Sequence, residues 1–267
     1  MADLDYSTVN PGDGVEIGVI TLNRPQARNA LTHAMYAELE RLVREAEPSG
    51  VRCLVITAVD PVFCSGDDVR QVMGAGESGR SPLSSETNRQ PRLTPAADAI
   101  LHTNVPVIAA VNGAAVGWGM ELSLMADFRV ASDRAKFGEL FVLRGLVSDV
   151  AGIGRLAQLV GRERAAELLL TGEVIDAHTA REWGLVSRVV SHDALQETAM
   201  ELARKIALNP PLAVRNIKEG LRQALDPNWT ELGSWVSLTL GELFTTEDHR
   251  EGVRSFLEKR PPRFTGR

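Results

Sequence analysis

The sequence has few cysteines and no excess of basic side chains, and each shortage excludes a class of protein. Cys53 and Cys64 are the two cysteines among 267 residues. They are too few for a disulfide framework and lack the paired spacing of a zinc site. We expect two partly buried thiols in a reducing cytoplasm. The 35 acidic side chains outnumber the 29 basic ones, which argues against a protein whose main task is to bind nucleic acid.

Long hydrophobic runs and a targeting segment are missing as well. No stretch approaches the ~18 uninterrupted apolar residues of a membrane-spanning helix. Residues 1–5 are acidic, where a secretory signal begins with basic residues. With 44% hydrophobic residues, the chain is long enough for one large core. These features predict a globular cytoplasmic protein without a membrane partner.

Strand-like and helix-like segments alternate in the first part of the chain. Nearly continuous apolar runs predict strands at 16–22, 53–57, 105–111 and 128–131, and apolar residues at helical spacing predict a helix over 32–47. This alternation is typical of an α/β fold with parallel strands. Further helices are predicted over 162–170, 177–183, 194–208, 212–224, 229–244 and 247–259. We expect residues 1–200 to form an α/β core and 201–267 a helical region that packs on the core or on a neighbouring subunit.

Two glycine-containing bends follow predicted strands. In residues 63–69 (FCSGDDV) a Ser-Gly pair bends the chain and leaves backbone N–H groups near Gly66 and Asp67 pointing outward; an ordinary strand–helix turn is the alternative. In residues 112–122 (NGAAVGWGMEL) a helix begins near Gly117. The first N–H groups of a helix lack partners and can hold an anion or a developing oxyanion. Close packing of helix on strand is the alternative for this second segment.

A third glycine-rich segment matches a nucleotide-binding pattern without its context. Residues 74–79 (GAGESG) fit G-x-G-x-x-G, which binds dinucleotides only between a strand and a helix. Here a proline and more serine follow, so we expect no nucleotide site in this segment.

The motifs, in their order along the chain, resemble those of the crotonase (enoyl-CoA hydratase/isomerase) superfamily. The matching segments are residues 23–31 (NRPQARNAL), 63–69, 110–114, 117–122, 170–172, 183–186 and 246–252. The resemblance implies a spiral of repeated ββα units with a C-terminal helical oligomerisation region, assembled as a trimer or a dimer of trimers. It also implies an acyl-CoA thioester substrate, with no cofactor besides the coenzyme A of that substrate.

The resemblance assigns substrate-binding residues to both bends. It implies that the backbone N–H groups of Asp67 and Trp118 form an oxyanion hole for the thioester carbonyl, with Ser65 and Gly117 also beside the substrate. Such donors suit the reaction class, because an enolate places negative charge on that oxygen.

Basic residues are implied near the coenzyme A. Arg28 and Arg70 match positions where the family often carries basic side chains, and Lys259 matches a lysine that reaches the nucleotide of a neighbouring subunit. Ordinary solvated surface charges are the alternative for each. The five histidines show no pairing at ligand spacing, so we expect no metal site.

The acid/base residues depart from the family pattern. Glu121 matches one glutamate of the hydratases, but Phe141 occupies the position of the second and cannot transfer a proton. Asp149 matches an aspartate that dienoyl-CoA isomerases use for proton transfer and that 4-chlorobenzoyl-CoA dehalogenases use as a nucleophile. Because neighbouring buried carboxylates separate into an acid and a base, we predict Glu121 and Asp149 as the catalytic pair.

Each of these carboxylates has a structural alternative. Glu121 is otherwise a solvated residue in the first turn of a helix, and Asp149 is otherwise an N-cap for a helix beginning near Ala151. Glu139 is a weaker third candidate that would share the side of Phe141 on a strand.

The sequence therefore predicts hydration of a 2-enoyl-CoA. Isomerisation of an enoyl-CoA or dienoyl-CoA is the main alternative, since Phe141 removes a hydratase carboxylate. A non-catalytic acyl-CoA-binding or RNA-binding member of the family is the alternative from another class, although an acidic chain without a basic, aromatic-rich stripe disfavours RNA.

Overall fold

The computed structural model describes residues 3–12, 14–69, 71 and 92–265. The strands found there are β1 (Leu4–Val9), β2 (Glu16–Leu22), β3 (Val51–Ala58), β4 (Val62–Cys64), β5 (Val107–Val111), β6 (Ala114–Val116), β7 (Phe128–Ser132), β8 (Lys136–Gly138), β9 (Val174–Asp176) and β10 (Arg188–Val190). Arg70 and the glycine-rich segment at 74–82, both considered above, lie outside the described residues.

Most helices lie within about two residues of their predicted ranges, but those at Pro95–His102 and Leu156–Val160 were not predicted. They are α1 (His33–Ala46), α2 (Pro95–His102), α3 (Trp118–Met125), α4 (Val150–Gly154), α5 (Leu156–Val160), α6 (Arg162–Thr171), α7 (Ala177–Glu182), α8 (Leu195–Ala207), α9 (Pro211–Leu225), α10 (Trp229–Leu243) and α11 (Glu247–Glu258). Short 3₁₀ turns lie at Pro25–Ala27, Phe141–Arg144 and His192–Ala194. In the described part of the chain, no helix is long and apolar enough to cross a membrane.

Two sheets organise the α/β part. The larger has the order β1-β2-β3-β5-β7-β10 and the smaller the order β4-β6-β8-β9. Pairing is parallel except between β1 and β2 and between β8 and β9. The chain passes from β3 to β4, from β5 to β6 and from β7 to β8, each time leaving the larger sheet for the smaller one. With α2 and α3 between these pairs, the spiral of ββα units is confirmed.

Burial on both faces explains the continuous apolar runs of the central strands. On one face, Leu54 and Ile56 of β3 belong to the main core. On the other face, Val55 packs in a second cluster with Ala199 and Ala203 of α8. We call this second cluster, which lies between the larger sheet and α8, the α8 core. A strand covered on both faces has no polar side to alternate with.

The division expected at residue 200 falls inside α8, and it stays a prediction. Cys53 lies in the α8 core and Cys64 in the main core, both fully buried. The expectation of only partly buried thiols was therefore wrong. Burial raises the pKa of each thiol to about 12, which keeps both protonated at neutral pH.

Candidate active site

Two bends meet where β4 and β6 end. Gly66 has a φ of +92° and Gly117 a φ of +55°, backbone conformations that favour glycine. A Cβ added to Gly66 would lie 3.2 Å from the backbone nitrogen of Trp118. The two bends are therefore in contact, and Asp67 and Trp118 follow directly from them.

The neighbouring backbone groups are paired, which fixes both bends. Leu31 donates its N–H to Gly66 O at 2.9 Å, and Gly117 donates to Gly138 O at 3.0 Å. Among the described residues, no acceptor receives a hydrogen bond from the backbone N–H of Asp67 or Trp118. These two N–H groups remain available to a ligand such as a carbonyl oxygen.

Glycine also allows α3 to approach β4 closely. A Cβ at Gly119 would lie 2.2 Å from Cys64 O, and a Cβ at Gly113 would lie 2.3 Å from Pro61 O. The glycines of residues 112–122 therefore have both predicted roles. They permit close packing of helix on strand, and they form the bend at Gly117.

Glu121 is buried beside the start of α4. Its carboxylate accepts hydrogen bonds from the N–H groups of Ala151 at 2.9 Å and Gly152 at 3.0 Å, and from Ser148 Oγ at 3.1 Å. Its exposed fraction is 0%, so the alternative of a solvated first-turn residue is wrong. Burial raises the pKa of Glu121 well above its usual value, and the charges of Glu139 and Asp149 raise it further.

Glu139 joins the same group of side chains. The expectation that it shares a strand side with Phe141 was wrong, because β8 ends at Gly138 and Phe141 begins a 3₁₀ turn. Glu139 Oε2 instead accepts a hydrogen bond of 2.6 Å from Ser148 Oγ. Burial raises the pKa of Glu139 to about 8, although this hydrogen bond lowers it.

Asp149 completes what we call the carboxylate cluster, namely Glu121, Glu139, Asp149 and Ser148. Asp149 is the N-cap of α4 and accepts a 2.8 Å hydrogen bond from the N–H of Val150. It also accepts a 3.0 Å hydrogen bond from the indole Nε1 of Trp118. The predicted capping role is therefore present, together with a link to the second bend. Burial raises the pKa of Asp149, against the lowering effect of its hydrogen bonds.

Tyr36 of α1 supports the first bend and was not predicted from the sequence. Its hydroxyl donates a 2.5 Å hydrogen bond to Asp67 Oδ1, and its ring packs edge-on against Trp118 with centroids 4.7 Å apart. Burial raises the pKa of Asp67 to about 6, against the lowering effect of the bond from Tyr36. Helix α1 thus connects the two bends through one aromatic side chain.

The residues predicted near coenzyme A are less tightly grouped. Arg28 is exposed, and its carbonyl accepts a 3.2 Å hydrogen bond from the N–H of Ser65, which ties it to the first bend. Lys259 is an exposed residue at the C-terminal end of α11. Within the described residues, no contact joins Lys259 to the carboxylate cluster. Phe141 is buried and carries no proton-transfer group.

Comparisons with known proteins test the family resemblance seen in the motifs. Residues 13–267 match the family model described as enoyl-CoA hydratase/isomerase. The chain is 37% identical over 259 residues to a 2,3-dehydroadipyl-CoA hydratase of Escherichia coli (strain K12), covering 93% of this chain and 95% of the relative. It is 36% identical over 259 residues to a 1,2-epoxyphenylacetyl-CoA isomerase of the same organism, covering 95% and 97%.

A solved structure extends the agreement to the whole fold. The crystal structure of an enoyl-CoA hydratase/isomerase from Pseudoalteromonas atlantica T6c matches with a TM-score of 0.84 at 28% identity, covering 99% of this chain and 100% of that one. Family model, curated relatives and fold all agree with the resemblance seen in the motifs. The chain belongs to the enoyl-CoA hydratase/isomerase family.

Proposed function

We propose that the enzyme adds water across the double bond of a 2-enoyl-CoA thioester. The observation that carries this proposal is that the backbone N–H groups of Asp67 and Trp118 have no acceptor among the described residues, and that Trp118 links them to the carboxylate cluster. Trp118 belongs to both, because its indole donates to Asp149 while its N–H faces no acceptor in the described chain. The site thus offers donors for an oxyanion and carboxyl groups for proton transfer in one place.

The chemistry assigns a task to each part. Hydrogen bonds from the two N–H groups polarise the thioester carbonyl and stabilise the enolate that forms when water attacks C3; one such donor typically contributes ~3 kcal/mol. Glu121 removes a proton from the attacking water, and Asp149 supplies a proton to C2. Burial raises the pKa values of both groups, which favours carboxyl groups that hold and exchange a proton. The reaction moves only water and protons, so no cofactor beyond the substrate's coenzyme A is proposed.

The test is isotopic. We incubate the enzyme with crotonyl-CoA in H₂¹⁸O and analyse the product by mass spectrometry. Hydration gives a 3-hydroxyacyl-CoA that carries one ¹⁸O atom. Glu121→Gln and Asp149→Asn are each expected to lower kcat by about 100-fold or more. Lack of ¹⁸O incorporation with crotonyl-CoA and longer 2-enoyl-CoA substrates contradicts hydration.

Asp149→Asn needs a matched control, because Asp149 also caps a helix. Asp176 caps α7 in the same way and accepts a 2.8 Å hydrogen bond from the N–H of Thr179. Asp176→Asn therefore removes the charge of a helix-capping side chain without touching the site, and we expect its kcat to stay within twofold of the parent enzyme. If both variants lose activity equally, Asp149 acts only as a cap.

Isomerisation is the second candidate, and Phe141 favours it. A residue without an acidic proton stands at one position where the hydratases carry a glutamate, while Asp149 matches the aspartate of dienoyl-CoA isomerases. One relative is named an isomerase. With 3-enoyl-CoA or dienoyl-CoA substrates in H₂¹⁸O, isomerisation moves the double bond without incorporating ¹⁸O. Binding of acyl-CoA without any turnover would indicate a non-catalytic member.

We also propose a homo-oligomer, a trimer or a dimer of trimers, that works in the cytoplasm. Helix α9 supports an assembly, since Leu212, Ile217, Leu221 and Leu225 are all more than half exposed and such patches mark protein contacts. Arg28, Arg70 and Lys259 are proposed to bind coenzyme A phosphates. Light scattering at three or six times the 29.0 kDa chain mass supports the assembly, and a monomer contradicts it.

A further inference from the structure

Ser148 stands between two buried glutamates. Its Oγ lies 2.6 Å from Glu139 Oε2 and 3.1 Å from Glu121 Oε1, and all three side chains are buried. A serine hydroxyl has one hydrogen to donate, so it can satisfy only one carboxylate at a time. The other contact is favourable only when that carboxyl group is protonated and donates to Oγ. The arrangement therefore holds one carboxylic acid proton.

The surroundings of the two glutamates differ. Glu121 accepts backbone N–H groups from Ala151 and Gly152, which stabilise its ionised form. Glu139 Oε1 is buried and, among the described residues, has no hydrogen-bond partner, which favours the neutral form of Glu139. In the resting state, Glu139 therefore donates to Ser148 Oγ and Ser148 donates to Glu121. Reversing both hydrogen bonds places the proton on Glu121.

We propose that Glu139 is a positioning residue that exchanges a proton with Glu121 through the Ser148 hydroxyl. The proposal rests on the proposed role of Glu121 in proton transfer. In the array of Glu139, Ser148 and Glu121, Glu139 Oε2 gives its proton to Ser148 Oγ while the hydroxyl proton of Ser148 moves to Glu121 Oε1. Glu121 can take a proton from water only while the proton of the array is on Glu139. One proton crosses the array, no net charge is created, and the reverse step restores the resting state. Glu139 needs no contact with the substrate.

The charges around Glu121, Ser148 and Glu139 favour the state in which one of the two glutamates is protonated, and this is the state that activity requires. Asp149, at the start of α4, acts on both Glu121 and Glu139. Asp67, from the first bend, is itself influenced by Asp149. Full ionisation would place two charges around one hydroxyl in a buried site, and full protonation would remove the base. Activity is therefore bounded by two ionisations that belong to the pair.

Glu139→Gln tests the exchange, because its amide permanently imitates the protonated side chain. The parent enzyme should show a bell-shaped kcat profile against pH. In Glu139→Gln we expect a kcat about 10-fold lower and an alkaline limb that moves up by at least one pH unit, since one ionisation has been removed. An alkaline limb that stays within 0.3 pH units of the parent overturns the proposal.

Ser148→Ala interrupts the same path and provides a second variant. We expect a similar loss of kcat, and the double variant Glu139→Gln/Ser148→Ala should be within about twofold of either single one, because residues acting as a unit are not additive. Ser123→Ala is the control: Ser123 is equally buried on α3, but its hydroxyl donates to Met120 O at 2.8 Å. Additive losses, or an equal pH shift in Ser123→Ala, contradict the exchange.

A titration without substrate separates this proposal from the proposed function. In protein with ¹³C-labelled glutamate carboxyl groups, Glu121 should titrate in two linked steps in the parent and in one step in Glu139→Gln. This coupling is measurable even if no enoyl-CoA is turned over, in which case only the proposed function fails. Identical titration of Glu121 in both proteins overturns the exchange while leaving hydration intact.

Discussion

The α8 core and the carboxylate cluster are both buried, but they contain opposite kinds of groups. The α8 core packs small and branched apolar side chains, such as Ala199 and Ala203, against the larger sheet. The carboxylate cluster buries three acids, two of which share one hydroxyl. Burial of apolar surface stabilises the fold, whereas burial of carboxyl groups opposes it and raises their pKa values. We therefore expect the α8 core to serve stability and the cluster to serve the proposed chemistry.

The largest effect should come from crowding the carboxylate cluster. A Cβ at Gly152 would lie 2.4 Å from Ser148 Oγ and 2.7 Å from Glu121 Oε1. Gly152→Ala must therefore displace both groups, and we expect kcat to fall by about 100-fold, which is about 3 kcal/mol of barrier. Steady-state kinetics checks this expectation.

The control for Gly152→Ala is Gly220→Ala on α9, where an added Cβ has no atom within 4 Å. Because alanine favours helix, this variant should keep its activity and gain about 0.5–1 kcal/mol in stability. Full activity in Gly152→Ala would remove the cluster from the mechanism.

An intermediate effect is expected from overpacking the α8 core. Ala203 is fully buried, so Ala203→Leu should lower the free energy of unfolding by about 1–3 kcal/mol with kcat of the folded enzyme unchanged. Urea unfolding and kinetics measure the two quantities. Ala37→Leu, the same exchange at an exposed position of α1, should change neither. A large loss of kcat in folded Ala203→Leu would show that the two regions are coupled.

The smallest effect concerns pH and Asp67. Because its pKa is raised from 3.8 to about 6 in the folded protein, the folded state holds this proton more tightly than the unfolded state does. The resulting stability is fully present below about pH 3.8 and is lost as pH rises towards 6. In Asp67→Asn the free energy of unfolding should no longer show this loss between about pH 4 and 6. The expected difference is about 1–2 kcal/mol after solvent screening.

Urea unfolding between pH 4 and 7 measures how the free energy of unfolding changes with pH. Asp176→Asn should change the pH dependence of stability in the opposite direction. The pKa of Asp176 is lowered by hydrogen bonds from the N–H and side chain of Thr179. Its contribution to stability is gained as pH rises, and the variant should lose it. Parallel slopes for the parent and Asp67→Asn would contradict a raised pKa at Asp67.

Much of the fold was predictable because its signals are local. The C-terminal helices match their predicted ranges within about two residues, since amphipathic spacing and prolines mark them. The strands β4, β6, β8 and β9 were not predicted individually. Each has three residues, too few for a periodic pattern.

The candidate site divides in the same way. Both bends were predicted, because Gly66 and Gly117 mark backbone conformations that the sequence displays directly. The links from Ser148 to Glu121 and Glu139 join residues 27 and nine positions apart, and no local pattern announces them. The hydrogen bond from the Tyr36 hydroxyl to Asp67 was not predicted either, since it is a tertiary contact.

Trp118 has a consequence for how this enzyme tolerates change. Any amino acid with a main-chain amide can stand at the second bend, yet its side chain must carry a hydrogen-bond donor at the position of the indole N–H to hold Asp149 there as well. Replacement by phenylalanine would leave the bend in place and release the aspartate. The proposed recognition of the carbonyl and the proposed supply of protons would then be separated by a single substitution, so the indole makes both proposed functions depend on one codon.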